Sequence, residues 1–108
     1  MLDAYNVLVV DDEESILRLF KKELTTEERH IHAAMSGRQA LDLLGKNQFD
    51  VIVLDIRLPD ANGIELLTEL KQRFPEVEVI MITGHGDVDT AVEAMKLGAY
   101  DYITKPFR

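Results

Sequence analysis

The 108-residue sequence contains no cysteine and no tryptophan. Without cysteine there is no disulfide framework, no cysteine-ligated zinc site and no thiol nucleophile. Basic residues are also few: 12 Lys and Arg stand against 20 Asp and Glu, which gives a net charge of −8. This balance argues against direct nucleic-acid binding, which requires a basic face, and it favours cationic partners.

Long apolar runs are missing as well. The first residues lack the basic and apolar regions of a secretory signal peptide. No apolar run approaches the roughly 18 residues that a membrane span requires. The 46% hydrophobic content is ordinary for a globular protein. We therefore expect a soluble, cytoplasmic protein without membrane contact, with one domain over residues 1–108.

Short β-branched segments alternate with amphipathic helical patterns along the chain. Residues 6–10, 50–54 and 77–82 predict strands, and weaker strands are expected near 30–34 and 100–104. The residues that form apolar stripes at helical spacing are, helix by helix, Ile16, Leu17, Phe20 and Leu24; Ala40, Leu41 and Leu44; Ile64, Leu67, Leu70 and Phe74; and Val88, Ala91, Val92 and Met95. Strands that alternate with helices predict an α/β fold with a parallel sheet.

Chemically reactive residues come directly after four of the predicted strands. Asp11 and Asp12 follow the first, Asp55 the third, Thr83 the fourth and Lys105 the fifth. Because ligands of parallel sheets bind at the carboxyl ends of the strands, we expect these side chains to share one edge. Taken singly, each has an ordinary explanation as a helix cap or a turn residue. Those explanations do not account for their joint placement.

This residue set suits metal-assisted phosphoryl chemistry. Clustered carboxylates take up protons unless a cation joins them, and an all-oxygen ligand set suits Mg²⁺. A carboxylate beside Mg²⁺ can be the nucleophile that forms an aspartyl phosphate, with Lys105 supplying positive charge and the Thr83 hydroxyl a hydrogen bond. The sequence has no nucleotide-binding glycine motif. The phosphoryl group is therefore expected to come from another protein or a small high-energy phosphate.

The motifs that hold these residues resemble those of the receiver domain of two-component response regulators. The matching segments are Val-Leu-Val-Val-Asp-Asp-Glu at 7–13, Val-Leu-Asp-Ile-Arg-Leu-Pro at 53–59, Asn-Gly at 62–63, Met-Ile-Thr-Gly at 81–84 and Lys-Pro-Phe at 105–107. The segment 83–107 most resembles receivers of nitrogen-regulatory-type transcription activators. The resemblance implies a doubly wound, flavodoxin-like sheet of five parallel strands in the order 2-1-3-4-5. It also implies a fifth helix, so we expect that the chain, which ends at Arg108, is truncated.

The resemblance further implies the chemistry of the site. Asp55 would accept a phosphoryl group from the phosphohistidine of a sensor histidine kinase. Asp12, Asp55 and the backbone carbonyl of Arg57 would hold Mg²⁺, and Asp11 would act mainly through a bridging water. Lys105 would contact the phosphoryl group.

Other residues would transmit or time the signal, again by resemblance. Thr83 and Tyr102 match the two switch residues, and Arg57 and His85 match positions that tune the lifetime of the acyl phosphate. The face formed by the fourth helix and fifth strand would control an output domain, through which alone DNA would be contacted. The domain itself would be a signalling module with slow autophosphorylation and autodephosphorylation, not a turnover enzyme.

A fifth helix would lie beside the first helix in this topology. Without it, we expect apolar surface on the fifth strand and near Leu17, Phe20 and Leu24 to be partly uncovered. Exposed apolar patches usually find a partner, so the sequence also predicts a homodimer.

Two alternatives from other functional classes stay open. A haloacid-dehalogenase-like phosphatase would use the same residue types, but it requires Asp-x-Asp after the first strand and more chain for a cap; steady turnover of phosphate esters would favour it. A phosphorylation-independent interaction domain would be favoured if the protein acquired no phosphate.

Overall fold

The computed structural model describes residues 5–84 and 88–105, in which strands and helices alternate. The elements are β1 (Tyr5–Val10), α1 (Glu14–Leu24), β2 (Arg29–Ala34), α2 (Gly37–Lys46), β3 (Val51–Asp55), α3 (Gly63–Arg73), β4 (Glu78–Thr83), α4 (Val88–Lys96) and β5 (Asp101–Thr104). The sheet has five strands in the order β2-β1-β3-β4-β5, and every neighbouring pair is parallel. The structure thus confirms the doubly wound α/β fold and the strand order.

The central strands β1, β3 and β4 are buried on both faces, and their successive side chains point alternately into two cores. In β1, Leu8 and Val10 belong to the core formed with α2 and α3. Val7 and Val9 belong to the core on the opposite face, together with Leu17 of α1. This explains why the central strands are continuous apolar runs without polar alternation.

Gly63 closes the connection between β3 and α3. Its backbone N–H donates to the Ile56 carbonyl at 2.7 Å. A Cβ at this position would lie 2.5 Å from the Cα of Ile56 and 2.7 Å from the carbonyl oxygen of Asp55. Asn62 caps α3, because its side-chain oxygen accepts hydrogen bonds from the backbone N–H groups of Ile64 and Glu65. Only glycine permits α3 to begin this close to the end of the strand that carries Asp55.

The structure corrects the expected stripe on α4. Ala91 and Ala94 are fully buried against the sheet, whereas Val92 and Met95 are exposed. The small alanine side chains allow the helix to pack closely, and this rotates the larger apolar residues outward. Apolar surface on α4 therefore faces solvent instead of the core.

The expectation for Leu17 is also wrong. Leu17 is 6% exposed, because α1 packs on β1 and β2 and Leu17 belongs to the core on that face of the sheet. Phe20 and Leu24 are half-buried, and the outward apolar residue of α1 is Leu19. All four residues of β5 are exposed, as expected for that strand. Within the part of the chain that the structure describes, no helix is both long and apolar enough to cross a membrane.

Candidate phosphoacceptor and metal site

Three carboxylates meet at the carboxyl edge of the sheet, as the sequence predicts. One oxygen each from Asp11, Asp12 and Asp55 lies within 4.8 Å of the other two. Asp11 and Asp55 are buried, whereas Asp12 is exposed. β1 ends at Val10 and β3 at Asp55, so the parallel pairing of these two strands brings the carboxylates together.

Asp55 is the last residue of β3 and is 5% exposed. The Arg57 N–H donates to its Oδ1 at 3.2 Å, and the Lys105 ammonium donates to its Oδ2 at 3.4 Å. Burial of the carboxylate, followed by the negative charge of Asp11, raises the pKa of Asp55 from 3.8 to about 6 despite these two donors. The site therefore holds a carboxylate whose negative charge is poorly compensated.

Asp11 is fully buried, and its two oxygens have different surroundings. Oδ1 accepts a hydrogen bond from the Glu13 N–H at 2.9 Å, which fixes the carboxylate in the turn before α1. Oδ2 lies 3.0 Å from the Lys105 ammonium but receives no well-directed hydrogen bond from any described residue. A buried carboxylate oxygen in this state is suited to a cation, and a hard ion such as Mg²⁺ fits the all-oxygen cluster.

Lys105 joins the three elements that form the site. Its ammonium lies 2.8 Å from Glu13 Oε1, 3.0 Å from Asp11 Oδ2 and 3.4 Å from Asp55 Oδ2. Burial alone would lower the pKa of Lys105, but the hydrogen bond to Glu13 and the negative charges of Asp11 and Asp55 raise it above its ordinary value. Lys105 is therefore a firmly protonated cation beside Asp55.

Glu13 is a member of this site that the sequence analysis missed. It follows the acidic pair directly, and an exposed acid at the start of a helix is ordinarily explained as a partner of the helix dipole. The sequence feature that could have identified Glu13 as a site residue is its position directly after Asp11 and Asp12. Only the fold shows that its carboxylate turns toward Lys105.

Thr83 and Tyr102 lie on neighbouring strands, β4 and β5. Thr83 is buried, and its hydroxyl makes two long contacts of 3.5 Å, to the Ile103 carbonyl and the Thr104 hydroxyl. Tyr102 is exposed on the outer strand and pairs in register with Met81. The two residues thus lie on adjacent strands, and the hydrogen bonds of the Thr83 hydroxyl to described residues are both long.

Of the last two predicted site residues, Arg57 and His85, the structure describes only the first. Arg57 is exposed, two residues beyond Asp55, and forms an isolated bridge with Asn62. His85 lies outside the described residues, as do the last two residues of the motif at 105–107.

The chain matches the family described as "Response regulator receiver domain" over residues 7–108. Among curated relatives, the regulatory protein LuxO of Vibrio cholerae is 40% identical over 98 residues, which cover 91% of this chain and 22% of that protein. The putative response regulator NtrX-like of Rickettsia conorii is 45% identical over 108 residues, 98% of this chain and 23% of the relative. The chain therefore spans about a quarter of the length of these relatives.

Solved structures have the same fold. The crystal structure of the receiver domain of NtrX from Brucella abortus has a TM-score of 0.88 at 40% identity and covers 94% of this chain and 87% of that chain. A receiver domain protein from Clostridium thermocellum also has a TM-score of 0.88, at 37% identity, with 96% and 84% covered. Both structures are similar to this chain over nearly the whole of its described fold.

Proposed function

The chain belongs to the response regulator receiver family, and from this premise we propose that Asp55 accepts a phosphoryl group from a sensor histidine kinase. Receivers of this family are phosphoacceptor signalling modules rather than classical enzymes, so the phosphatase alternative is set aside. The observation that carries the proposal is the position of Asp55: a buried carboxylate with Asp11 and Asp12 on one side and the Lys105 ammonium 3.4 Å away.

We propose that Mg²⁺ is held by Asp12, Asp55 and the Arg57 carbonyl, with Asp11 acting through water. When bound, the ion supplies positive charge that offsets the clustered carboxylates and the phosphoryl oxygens. The oxygens of Asp11, Asp12 and Asp55, which lie within 4.8 Å of one another, support this ligand set. Lys105 supplies the second positive charge and orients the group on Asp55.

The proposed transfer is a displacement at phosphorus. The bond between phosphorus and the kinase histidine nitrogen breaks as a bond from an Asp55 oxygen forms, and the imidazole leaves with the electron pair. Asp55 must be ionised to attack, and its pKa of about 6 leaves it ionised at neutral pH. Water later attacks phosphorus, the bond to the Asp55 oxygen breaks with its electron pair on the carboxylate, and inorganic phosphate leaves. We propose that Arg57 and His85 tune how often this occurs.

We propose that the phosphoryl group draws the Thr83 hydroxyl toward Asp55 and that the Tyr102 ring then turns inward. The long contacts of Thr83 support this, because they are weak enough to be exchanged for a charged acceptor. The movement would alter the surface of α4 and β5, whose exposed apolar residues include Val92 and Met95. This surface is suited to contact an output domain.

The relatives indicate which kind of output domain this receiver would control. They include regulators about four times as long as this chain, and one is described as the DNA-binding transcriptional regulator NtrC of Proteus hauseri. We propose that this receiver controls a transcription-activating output domain, that DNA is contacted only through that domain, and that the protein acts in the cytoplasm. We propose that the protein forms a homodimer through α1 and β5, whose exposed apolar residues include Leu19 and Ile103; sedimentation at increasing concentration would reveal it.

Intact-mass measurement tests the phosphoacceptor directly. After incubation with acetyl phosphate and Mg²⁺, the wild type should gain the mass of one phosphoryl group, and Asp55→Asn should gain none. Asp42→Asn is the matched control, because it removes a carboxylate from the exposed face of α2 and should be phosphorylated normally. No gain in folded wild type would favour the phosphorylation-independent interaction domain, and a gain in Asp55→Asn would show that the acceptor lies elsewhere.

A further inference from the structure

Glu13 occupies the N-cap position of α1 but does not cap the helix. Its backbone is extended, as at most N-caps, yet its side chain makes no capping hydrogen bond. Glutamate is not among the residues that favour this position. The carboxylate instead lies 2.8 Å from the ammonium of Lys105, 92 residues later in the chain. The N-terminus of α1 therefore lacks a side-chain cap, and the Glu13 side chain pairs with Lys105 instead.

Glu13 is the nearest of the three carboxylates around Lys105. The corresponding distances to Asp11 and Asp55 are 3.0 and 3.4 Å. The ammonium donates hydrogen bonds to Glu13 and Asp55 and forms an ion pair with Asp11. A phosphoryl oxygen on Asp55 therefore competes with these carboxylates for Lys105.

The partner that is displaced most easily is Glu13. Its side chain is 55% exposed, so its carboxylate can return to water. Asp11 is 0% exposed and would be left buried without a counter-charge. We therefore expect Lys105 to exchange its contact with Glu13, and not its contact with Asp11, for the phosphoryl group on Asp55.

We propose that Glu13 competes with the phosphoryl group for Lys105 and thereby biases the site toward its unphosphorylated state. This inference rests on the proposed function, because it concerns the same phosphoryl group on Asp55. Glu13 is a positioning residue here, since it acts through Lys105. Exposed ion pairs contribute little, so removing this one should strengthen binding of a phosphoryl mimic by about two- to fivefold.

The test compares two variants that remove the same charge from the same helix end. Beryllofluoride, a phosphoryl mimic, is titrated in Mg²⁺ into wild type, Glu13→Gln and Glu14→Gln. Glu14 is an exposed acid in the first turn of α1, outside the set of carboxylates paired with Lys105. We expect tighter binding in Glu13→Gln and a smaller change in Glu14→Gln. Equal changes in the two variants would overturn the proposal.

A double-mutant cycle separates competition for Lys105 from a general effect of charge. In a Lys105→Met background, Glu13→Gln should change beryllofluoride affinity no more than Glu14→Gln does. A gain that persists in this background would overturn the proposal. The ammonium NMR signal of Lys105, recorded without the mimic, gives a second readout: Glu13→Gln should speed its exchange with water, and an unchanged rate would contradict the contact.

The two proposals fail in different ways. If folded wild type neither binds beryllofluoride nor gains a phosphoryl group, the proposed function is wrong and the competition with it. If wild type does both but Glu13→Gln matches Glu14→Gln, only the role of Glu13 is wrong. Circular dichroism of each variant confirms that the fold is intact, which is expected because the Glu13 side chain does not cap α1.

Discussion

Replacing Asp55 with asparagine is expected to stabilise the protein while removing the proposed phosphoacceptor. The substitution keeps an oxygen that can accept the Arg57 N–H, which lies 3.2 Å from Oδ1. It removes the negative charge that burial and Asp11 make unfavourable. The asparagine therefore resembles the protonated aspartic acid in shape and charge.

The magnitude follows from the pKa of Asp55, which is about 6 in the folded protein against an ordinary 3.8. Between these pH values the folded protein binds the proton more tightly than the unfolded chain does. The free energy of unfolding of the wild type therefore falls as the pH rises through this interval. At about 1.4 kcal/mol per pH unit, the full interval corresponds to about 3 kcal/mol. Because solvent at the rim screens the charge, we expect Asp55→Asn to stabilise by about 1–3 kcal/mol at neutral pH.

Urea denaturation followed by circular dichroism, in EDTA from pH 4 to 8, measures this effect. The free energies of unfolding of the two proteins should be nearly equal at pH 4 and should diverge as the pH rises to 7. In thermal denaturation at pH 7, the Tm of the variant should be higher by about 4–8 °C per kcal/mol. Asp42→Asn controls for the change in net charge, because Asp42 is exposed on α2. Equal stability of Asp55→Asn and wild type at pH 7 would refute the conclusion that the Asp55 charge is poorly compensated.

Four further substitutions test other parts of the site and its support. Asp12→Ala removes one of the three clustered carboxylates, so Mg²⁺ affinity measured by calorimetry should fall more than about tenfold; equal affinity would contradict the ligand set. Thr83→Ala should still acquire a phosphoryl group, but the NMR shifts of α4 amides on adding beryllofluoride should shrink, and a full response would rule out Thr83 as the switch. Gly63→Ala places a Cβ 2.5 Å from the Ile56 Cα and should lower the free energy of unfolding in urea by about 1–3 kcal/mol; a neutral effect would mean that α3 shifts easily. Asp60→Ala removes the carboxylate that accepts from the first two amides of α2 at 2.8 and 3.0 Å. Because these hydrogen bonds lower the pKa of Asp60, the variant should be less stable than wild type at neutral pH. The difference should disappear as the pH falls below 3.8 and through the lowered pKa, and a difference that persists in acid would contradict this explanation.

The fold could be predicted from the sequence because each strand is a short β-branched run and each helix an apolar stripe. The bounds of the strands are predicted less accurately. Residues 50–54 and 77–82 were predicted, whereas β3 is Val51–Asp55 and β4 is Glu78–Thr83. The difference arises because ladder hydrogen bonds continue to the last paired residue, whatever its polarity. Asp55 and Thr83 therefore end their strands instead of following them, which holds both in the rigid sheet.

The side-chain contacts of the site could be predicted only in part. The convergence of Asp11, Asp12 and Asp55 follows from parallel pairing, which sequence patterns indicate well. The direction of the Glu13 side chain does not, because it depends on the position of Lys105, which is 92 residues later in the chain. The outward rotation of α4 was missed for a similar reason: apolar spacing predicts an apolar face, but the packing depth of small alanines decides which face meets the sheet.

The arrangement that makes Asp55 costly for stability also makes it suitable for phosphoryl chemistry. Burial and the nearby Asp11 charge raise the free energy of the ionised carboxylate, so a cation or a transferred group that offsets this charge binds more favourably than it would at an exposed aspartate. Pairing of Asp55 with Ile82 at the end of β3 fixes the backbone that carries the carboxylate, although burial of its charge is unfavourable. Mg²⁺ should therefore raise the Tm of the wild type and reduce the stability advantage of Asp55→Asn, because the ion binds more tightly to the protein that retains the carboxylate. An advantage that Mg²⁺ leaves unchanged would show that the ion does not bind where the charge is least compensated.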